Sequence, residues 1–466
     1  MPTDRRLRSP AATLTLLGLA SLITALDFTI VYVALPDIAR DVGFSEHSLQ
    51  WVVSAYAVVY GGLLLLGGRL SDLLGRRRMF VAGMVLYGFG SVLGGLADTP
   101  TLLVAARAVQ GVGGAVLFPA TLSLVTTLFE EGKERNRALA VWSVAGAAGL
   151  SLGALLGGVL TSAFGWQAVF YVNVPLVVAA GLAAFVLLAP DPAGPARSGF
   201  DVTGALTGTA GMTLLVLAVA QGPEWGWGSA RVLGSMAAGL ALLAVFAAVE
   251  RRARQPLLRL GLLANRSLSA ATGVILVFGV TLQAVPYFLT LYFQSAMGYS
   301  ALRTGVAFLG PTLSITVGNL VGERLVPRLG VRKTLVSGFV VAAAGTALIA
   351  AAMTDGASYP ELLAGIVGFG LGTGVVFSTM WIAAASGVAA DEQGTASGVA
   401  STALQFGSGA GLAILVGVDG TRAAMFTIGS AAAVLGTFAA LLLPARSPAP
   451  AAVSADSPVR EPSRSK

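Results

Sequence analysis

Two opposite charges stand in stretches of sequence that otherwise suit the interior of a membrane. Asp27 lies in the apolar run 12–35, and Arg107 lies in the apolar run 101–129. A charged side chain at the centre of a membrane-spanning helix costs about 2.5–3.5 kcal/mol on insertion scales. Ionisable residues in such positions usually mark a pathway for protons, ions or substrate. Both residues are therefore candidates for chemistry.

The two charges are predicted to lie at similar depths. If the first run crosses the membrane outward and the other inward, Asp27 is eight residues from the outer end at Leu35, and Arg107 is six residues from Thr101. At 1.5 Å per residue, these depths are about 12 and 9 Å. The two side chains can share one polar pocket, in which Asp27 binds or releases a proton as movement changes its contact with Arg107. The alternative is a buried ion pair that only fixes helix packing.

The composition is that of an integral membrane protein. Of the 466 residues, 55% are hydrophobic and only 11% are charged, and the mean hydropathy is +0.81. A soluble domain carries about 25% charged residues. The chain has no cysteine, which excludes disulfides, thiol catalysis and thiolate metal sites, and its one histidine, His47, excludes a histidine-rich metal centre. We expect no metal and no enzymatic activity.

Fourteen apolar stretches are long enough to span a bilayer as helices. With the N-terminus inside, the inside segments carry 24 lysines and arginines. The outside loops carry four, which are Arg40, Arg231, Arg303 and Arg422. Positive residues concentrate on the cytoplasmic side of membrane proteins. The pattern predicts a multi-pass protein of the cytoplasmic membrane with both termini in the cytoplasm. It also explains the net charge of +7 without nucleic acid.

The chain contains an internal repeat. The loop "GRLSDLLGRRR" at 68–78, between spans two and three, is echoed by "ERLVPRLGVRK" at 323–333, between spans ten and eleven. Many transporters are built from such repeats, with the substrate site between the halves. The predicted segments are a cytoplasmic N-terminal segment 1–11, a six-helix half 12–189, two inserted helices with linkers 190–266, a second six-helix half 267–443, and a disordered cytoplasmic tail 444–466.

The fifth span carries a glycine series. Gly149, Gly153 and Gly157 recur every fourth residue, with Gly158 beside the last. This spacing places the three glycines on one face of a helix. Small residues on one face let a neighbouring helix approach closely. The series therefore predicts tight packing of this span.

Five motifs in order carry a resemblance to a known family. They are "LDFTIVYVALPDI", "GRLSDLLGRRR", "RAVQGVGGA", "GLSLGALLGG" and "FGWQAVFYVNVP". In this order the chain resembles the fourteen-helix drug:proton antiporter branch of the major facilitator superfamily, from about residue 12 to 443. The resemblance implies an all-α major facilitator fold of two six-helix halves with two inserted central helices. It also implies proton-coupled efflux of lipophilic drugs or antibiotics by alternating access.

The resemblance assigns roles to three sets of residues. Asp27 and Arg107 correspond to the proton-coupling site. The glycines of the fifth span correspond to a pliable hinge between the halves; the family usually has proline after the middle glycine, and Ala154 here predicts a weaker kink. The conformational gate comprises Gly68, Asp72, Gly75, Arg76 and Arg77.

The gate motif has a physical basis and an imperfect second copy. Asp72 can pair with the arginines or cap a neighbouring helix, and so hold one conformation closed. The second copy has Pro327 at the position of Asp72. We therefore expect the gate to be degraded in the second half.

Polar and aromatic residues on spans of both halves are candidates for the substrate cavity, although ordinary packing explains each one alone. They are Gln110, Trp142, Asn173, Gln283, Tyr287, Phe288, Tyr292, Gln294 and Trp381. Together they suit an amphipathic or aromatic cargo. Asp27 is the one acid deep in a span, which favours a lipophilic, neutral or singly charged molecule.

Two other functions compete with export. A nutrient importer or facilitator could use the same fold, and a facilitator would not need Asp27. A membrane enzyme would need clustered catalytic groups, which the sequence does not offer. We expect no cofactor, with the proton gradient as the energy source. The expected partners are the lipid bilayer, protons and a small lipophilic substrate, and the chain is expected to function as a monomer.

Overall fold

The computed structural model describes residues 9–444, except 45, 50, 192–200, 254–259, 264, 355, 390, 391, 417 and 419. Most of the predicted N-terminal segment and nearly all of the predicted tail lie outside the described residues. So does the central part of the linker before the inserted helices.

The first half consists of six helices whose ends follow from local sequence. The Ser9 hydroxyl accepts a hydrogen bond from the Ala12 amide at the start of the first helix, and Thr99 caps the fourth helix in the same way. Proline at the first helical position, where no amide hydrogen is needed, follows both caps. The helices are α1 Pro10–Val42, α2 Trp51–Leu74, α3 Arg76–Gly95, α4 Pro100–Leu128, α5 Lys133–Phe164 and α6 Ala168–Leu187.

The two inserted helices are α7 Val202–Trp225 and α8 Ala230–Glu250. The helix α8 packs on α7, and α7 packs on both α2 and α13 (Gln393–Val416). Glycines make this contact close. A methyl group at Gly61 of α2 would lie 3.2 Å from Val216, and one at Gly409 of α13 would lie 2.9 Å from Val219. The helix α7 therefore bridges the two halves.

The second half repeats the first, and its first helix is interrupted by two irregular turns. The helix α9, Arg266–Ala296, leaves α-helical geometry at Thr281 and contains a 3₁₀ turn at Leu282–Ala284 and a π turn at Tyr292–Ala296. Such turns inside a helix often mark functional hinges. The remaining helices are α10 301–329, α11 331–352, α12 Tyr359–Ala385, α13 Gln393–Val416 and α14 Thr421–Leu441.

The helices α10 and α11 form one segment, Arg303–Ala352, of 50 residues. At 1.5 Å per residue this length is about twice what one span needs. Gly330 divides it, with φ of 78° and ψ of 160°. This backbone conformation suits glycine because it has no side chain. The predicted turn between spans ten and eleven therefore lies where the sequence repeat places it.

Each of the fourteen predicted spans coincides with a helix. In the described part of the chain, eleven segments are long and apolar enough to cross a membrane, or twelve if bent α5 is one span. The segment that contains α10 and α11 counts once among them. The predicted all-α fold is confirmed.

The two halves share one packing pattern. In the first half, α1 packs along α5, and α4 packs on α2 and α3. In the second half, α9 packs along α13, and α12 packs on the segment of α10 and α11. Glycines produce the closest approaches, as between Gly345 of α11 and the backbone at Phe369 of α12. The sequence repeat therefore corresponds to a structural repeat.

The topology gives a testable orientation. We call the face that holds Ser9 and the turns at Gly75 and Gly132 the N-terminal face. A green fluorescent reporter fused after Lys466 is expected to fluoresce, because an even number of crossings returns the C-terminus to the cytoplasm, where this reporter folds. The measurement is cell fluorescence, with an alkaline phosphatase fusion after Lys466 as its complement. Phosphatase inserted after Gly226, between α7 and α8, is the control and should be active. Active phosphatase after Lys466 would contradict the orientation.

Candidate functional site

Asp27 and Arg107 form an ion pair inside the first half. The Arg107 Nη1 atom donates to Asp27 Oδ2 over 2.6 Å. Asp27 is 0% exposed and Arg107 is 1% exposed. The structure therefore brings together the two residues that the sequence predicted to lie at similar depths. A fully buried ion pair is stable only if the remaining polar atoms of both side chains also form hydrogen bonds.

Two amide side chains complete the environment of the Asp27 carboxylate. Gln110 Nε2 donates to Asp27 Oδ1 over 3.4 Å, and Asn173 Nδ2 donates to the same oxygen over 3.1 Å. Both amides are 0% exposed. Sequence reasoning assigned Gln110 and Asn173 to the substrate cavity. The structure instead places them against Asp27, because α4 and α6 turn these faces towards α1.

The guanidinium of Arg107 is held in one orientation. Its Nε donates to the carbonyl oxygen of Val52 over 2.9 Å, and its Nη1 donates to Gln110 Oε1 over 2.9 Å. Its Cζ lies 4.5 Å from the centre of the Tyr56 ring, where a cation is attracted to the aromatic face. A lysine could not reproduce this set of contacts.

The network extends to a third polar partner and involves five helices. Gln110 Nε2 also donates to Ser91 Oγ over 2.9 Å. The Tyr87 side chain lies close enough to Asp27 for an electrostatic interaction. Its hydroxyl group makes no hydrogen bond of ordinary length to the described residues. Ser91 and Tyr87 on α3, and Tyr56 on α2, were not selected from the sequence. Their helical spacing is typical of ordinary packing, so nothing in the sequence identified them.

Two opposing influences act on the Asp27 carboxyl group. Burial favours the neutral form of a carboxyl group, and an adjacent guanidinium favours its charged form. Movement of α1 against α4, or entry of water from one side, changes that balance. The pair therefore combines a dry site with two opposing influences on one carboxyl group.

A second site joins the halves at the N-terminal face. The Asp72 side chain, at the end of α2, is fully covered. Its Oδ2 accepts from the Thr395 amide over 2.8 Å and from the Thr395 hydroxyl over 2.9 Å, and its Oδ1 accepts from the Gly394 amide over 3.0 Å. These amides begin α13, where an anion is favoured by the helix dipole. Asp72 of the first half thus caps a helix of the second.

The other predicted gate residues support this contact. Gly68 allows α2 to approach α13 because any larger side chain would overlap the Gly394 carbonyl. Gly75 has φ of 104°, a left-handed conformation that turns the chain into α3. Arg76 Nη2 reaches Asp72 Oδ1 over 3.4 Å, and Arg76 Nε donates to Ser123 of α4 over 2.6 Å.

Arg77 takes part in a contact that the sequence did not reveal. The amides of Arg77 and Arg78 donate to the two carboxylate oxygens of Asp191 over 3.1 and 2.9 Å. The Arg77 guanidinium donates to the Phe185 carbonyl over 3.1 Å. Asp191 therefore caps α3 and ties it to the end of α6. An acid followed by "PAGP" was read from the sequence only as linker.

The second copy of the gate motif keeps its turn and lacks its acid. Gly330 adopts the same left-handed region as Gly75. Pro327 occupies the position equivalent to Asp72 and lies inside the helical segment. The degraded second gate stays a prediction.

The glycine face of α5 packs against α1 in the same half. A side chain at Gly149 would press on Leu22, and one at Gly153 would overlap the Leu26 carbonyl and the Thr29 hydroxyl. Gly157 is also buried and Gly158 is half-buried. The hinge was expected between the halves. The structure places Gly149 and Gly153 beside α1, the helix that carries Asp27, because α1 and α5 form the closest pair in this half.

The helix α5 is bent near its middle. The portions Lys133–Leu150 and Leu155–Phe164 meet at 43°. The kink weaker than the family's that Ala154 predicts stays a prediction. The bend lies within the glycine series, where the helix lacks the side chains that would stiffen it.

Five of the cavity candidates lie on α9 around its breaks. Phe288 and Tyr292 are buried, and the Tyr292 hydroxyl donates to the Thr354 carbonyl over 3.1 Å. Tyr287 is exposed and contacts Phe288 edge to face. Gln283 is half-buried and Gln294 is exposed. Phe288 and Tyr292 therefore belong to packing within the second half.

The last two candidates, Trp142 and Trp381, meet at the junction of the halves. Their ring centres are 5.8 Å apart with an interplanar angle of 88°. Phe118 of α4 contacts both rings, at 5.3 and 6.0 Å. Phe377 packs on Trp381 and on Phe278 of α9. Phe118, Trp142, Phe377 and Trp381 are called the aromatic junction below.

A line of rings connects the aromatic junction with the ion pair. Tyr56, which covers the Arg107 guanidinium, stacks on Tyr60 with a centre distance of 5.5 Å. Tyr60 contacts Phe118 edge to face at 6.4 Å. The site in the first half is thus linked to the interface by contiguous aromatic packing.

Two matched six-helix halves, a dry ion pair within one of them and a capped helix across their interface define a multi-pass membrane transporter. The comparison with known proteins agrees with this class. The Major Facilitator Superfamily matches residues 17–412, and the chain belongs to this family. The predicted family is therefore confirmed.

Similar proteins include three whose names concern antibiotic resistance or export. The chain is 40% identical to the puromycin resistance protein pur8 of Streptomyces alboniger, over 85% of this chain and 79% of that protein. It is 38% identical to the cephamycin export protein CmcT of Amycolatopsis lactamdurans, over 90% and 87%. It is 34% identical to the lincomycin resistance protein of Streptomyces lincolnensis, over 94% and 91%.

The fold is also found in a solved structure. The crystal structure of the human organic anion transporter MFSD10 (TETRAN) matches with a TM-score of 0.69, covering 94% of this chain and 100% of that one. The sequence identity is 16%, so this likeness concerns the fold alone.

Proposed function

We propose that this protein exports lipophilic antibiotics or related small molecules from the cytoplasm, driven by the inward proton gradient. The observation that carries the proposal is the Asp27–Arg107 pair, which has full burial, defined partners and no role in joining the halves. A carboxyl group that alternates between protonated and charged forms can couple proton influx to cargo efflux. The names of the similar proteins, which concern antibiotic resistance and export, support this cargo class.

The gate supplies the conformational part of the proposal. Asp72 holds α2 and α13 together, so this structure has its halves joined at the N-terminal face, the predicted cytoplasmic side. Release of this cap lets cargo in from the cytoplasm. The aromatic line from Arg107 through Tyr60 to Phe118 offers a physical connection between proton exchange and the interface.

Changing Asp72 to Asn is expected to slow export at least about tenfold while protein abundance in the membrane is retained. The amide keeps the shape but turns two hydrogens towards the amides of α13, and it loses a charge–dipole attraction of up to about 2 kcal/mol. The closed state should lose population, and turnover needs both states. The measurement is the export rate per transporter.

The chain has no cysteine, which allows a direct readout of opening. In a background with Ser397→Cys, a buried position near this face, Asp72→Asn should speed labelling by a membrane-permeant maleimide. Asp98→Cys, on the exposed opposite face, is the matched control and should label equally in both backgrounds. If Asp72→Asn changed neither export nor labelling, the loop between α2 and α3 would serve only to set the topology.

The proposed function is tested in an efflux-deficient bacterial host. Expression should raise the inhibitory concentration of puromycin or lincomycin and lower their accumulation, and a protonophore should restore accumulation. An importer would instead raise accumulation, and a facilitator would equilibrate cargo without responding to the protonophore. Failure with every antibiotic class in a broad panel would exclude export as the function.

A further inference from the structure

The aromatic junction has a feature that packing does not explain. Trp142 belongs to α5 of the first half and Trp381 to α12 of the second, and each is 1% exposed. Edge-to-face contact accounts for the position of the two rings. This contact does not explain what their indole N–H groups bind.

Neither indole nitrogen has a hydrogen-bond partner among the described residues. Buried tryptophan usually donates its N–H to an acceptor, because an unsatisfied donor is costly away from water. Among the described residues, the two donors belong to rings that meet across the interface between the halves. Two orphaned donors beside a movable interface indicate a partner that is present in another state.

A narrow gap adjoins Trp381 on the side of the N-terminal face. A small cavity there is lined by Trp381 and by residues of α4, α12 and α13, which are Leu122, Thr126, Ala384, Ala385, Gln393, Ala396 and Ser397. The lining is mostly apolar, with a few hydroxyl and amide groups. It lies between the aromatic junction and the region where Asp72 holds α13.

We propose that Trp142 and Trp381, with Phe118, form a recognition site for planar aromatic cargo that carries oxygen acceptors such as quinone or ketone carbonyls. This inference rests on the proposed function. When the halves part at the N-terminal face, cargo enters between the two tryptophans, stacks on their rings and accepts hydrogen bonds from their indole N–H groups. On closure the same rings pack on each other and seal the path.

The chemistry of the site sets its selectivity. The four rings of the aromatic junction carry no charge, so stacking area and acceptor position determine binding. Stacking tolerates many planar molecules, whereas two fixed donors distinguish those with suitably placed oxygens. The site therefore favours aromatic carbonyl compounds over aromatic molecules that lack oxygen.

The test measures binding of two fluorescent probes to the purified full-length protein in detergent by anisotropy. Doxorubicin is a planar, singly charged molecule with quinone carbonyls, and ethidium is a planar, singly charged molecule without oxygen. Trp142→Phe and Trp381→Phe remove one donor each and keep a ring. Each should weaken doxorubicin binding about fivefold, the effect of one hydrogen bond, and change ethidium binding less than about twofold.

Two further sets of variants complete the design. Trp142→Ala and Trp381→Ala remove the ring and should weaken both probes more than about tenfold. Trp166→Phe is the matched control, because Trp166 is also buried with an unpartnered indole nitrogen but packs on Phe170 within the first half. It should leave both affinities unchanged.

The outcomes separate this inference from the proposed function. Wild-type affinity for doxorubicin in both phenylalanine variants, or equal weakening of both probes, would overturn the hydrogen-bonding role. Failure of the wild-type protein to bind either probe would overturn the cargo class. Lincomycin has no aromatic ring, so its proton-driven export does not depend on this recognition site. If that export were observed after either failure, the proposed function would be retained. Selective binding without any export would leave the recognition site intact and remove the proposed function.

Discussion

Replacing Asp27 by Asn is expected to abolish uphill export while retaining binding and downhill exchange of cargo. The amide has the size of the carboxylate and resembles its protonated form, but it cannot release a proton. The fold should tolerate the change, because Asn173 Oδ1 is buried without a partner among the described residues and can accept from the new amide. The accumulation ratio of a cargo in everted vesicles energised with a proton gradient should fall to that of unenergised vesicles.

The matched control is Asp98→Asn in the same vesicles, which makes the same change at an exposed acid outside the site. It should keep the wild-type accumulation ratio and so show that the vesicles are competent. Counterflow of labelled cargo in the absence of a gradient should persist in Asp27→Asn. Wild-type, protonophore-sensitive export in Asp27→Asn would exclude Asp27 as the proton carrier.

Replacing Arg107 by Ala is expected to be more damaging than Asp27→Asn, with both loss of export and loss of stability. Removing one partner of a buried ion pair costs about 3–5 kcal/mol, because the other charge stays in a dry environment. Asp27 would keep only the hydrogen bonds from Gln110 and Asn173. The expected response is permanent protonation of Asp27 or partial unfolding. The measurement is the melting temperature of the purified protein in detergent together with the export rate.

A double variant distinguishes these causes. Asp27→Asn combined with Arg107→Ala removes both charges and should regain part of the stability lost in Arg107→Ala, without regaining export. Arg107→Lys keeps the charge and should remain impaired, because lysine cannot reach the Val52 carbonyl, Asp27 and Gln110 together. If Arg107→Ala were as stable and as active as the wild type, the pair would have neither role.

The ion pair could be predicted from sequence because depth in a membrane follows from counting residues along a helix. The position of Asp27 and Arg107 in opposite crossings was sufficient to pair them. The rotation of each helix is not set by such counting in a chain whose spans are apolar on all sides. Gln110 and Asn173 were therefore recognised as buried polar residues but assigned to the cavity and not to Asp27.

The gate shows a different limit. Local spacing identified Asp72 and the turn at Gly75, since both belong to one short motif. The partner amides at Gly394 and Thr395 are more than 300 positions away in the chain, at a helix start that carries no unusual residue. Asp191 was also missed, because an acid that follows an apolar helix is common in linkers and does not by itself indicate a cap.

Aromatic residues were predicted least well. Trp142 and Trp381 were selected only as two of nine candidates, and Phe118, Phe278 and Phe377 were not selected. A phenylalanine inside an apolar span has the same sequence signature whether it faces lipid or the other half. The meeting of these rings depends on how the halves close, which is a property of the assembled fold.

The place of α7 affects how the molecule meets the surrounding lipid. In a protein of two matched halves, the seam between them faces the bilayer twice, once beside α2 and α13 and once beside α5 and α10. The inserted helix α7 covers the first of these seams, and in the described part of the chain neither α7 nor α8 packs along α5 or α10. The seam beside α5 and α10 is therefore the one that these inserted helices leave to the bilayer, and one of its two helices carries Trp142.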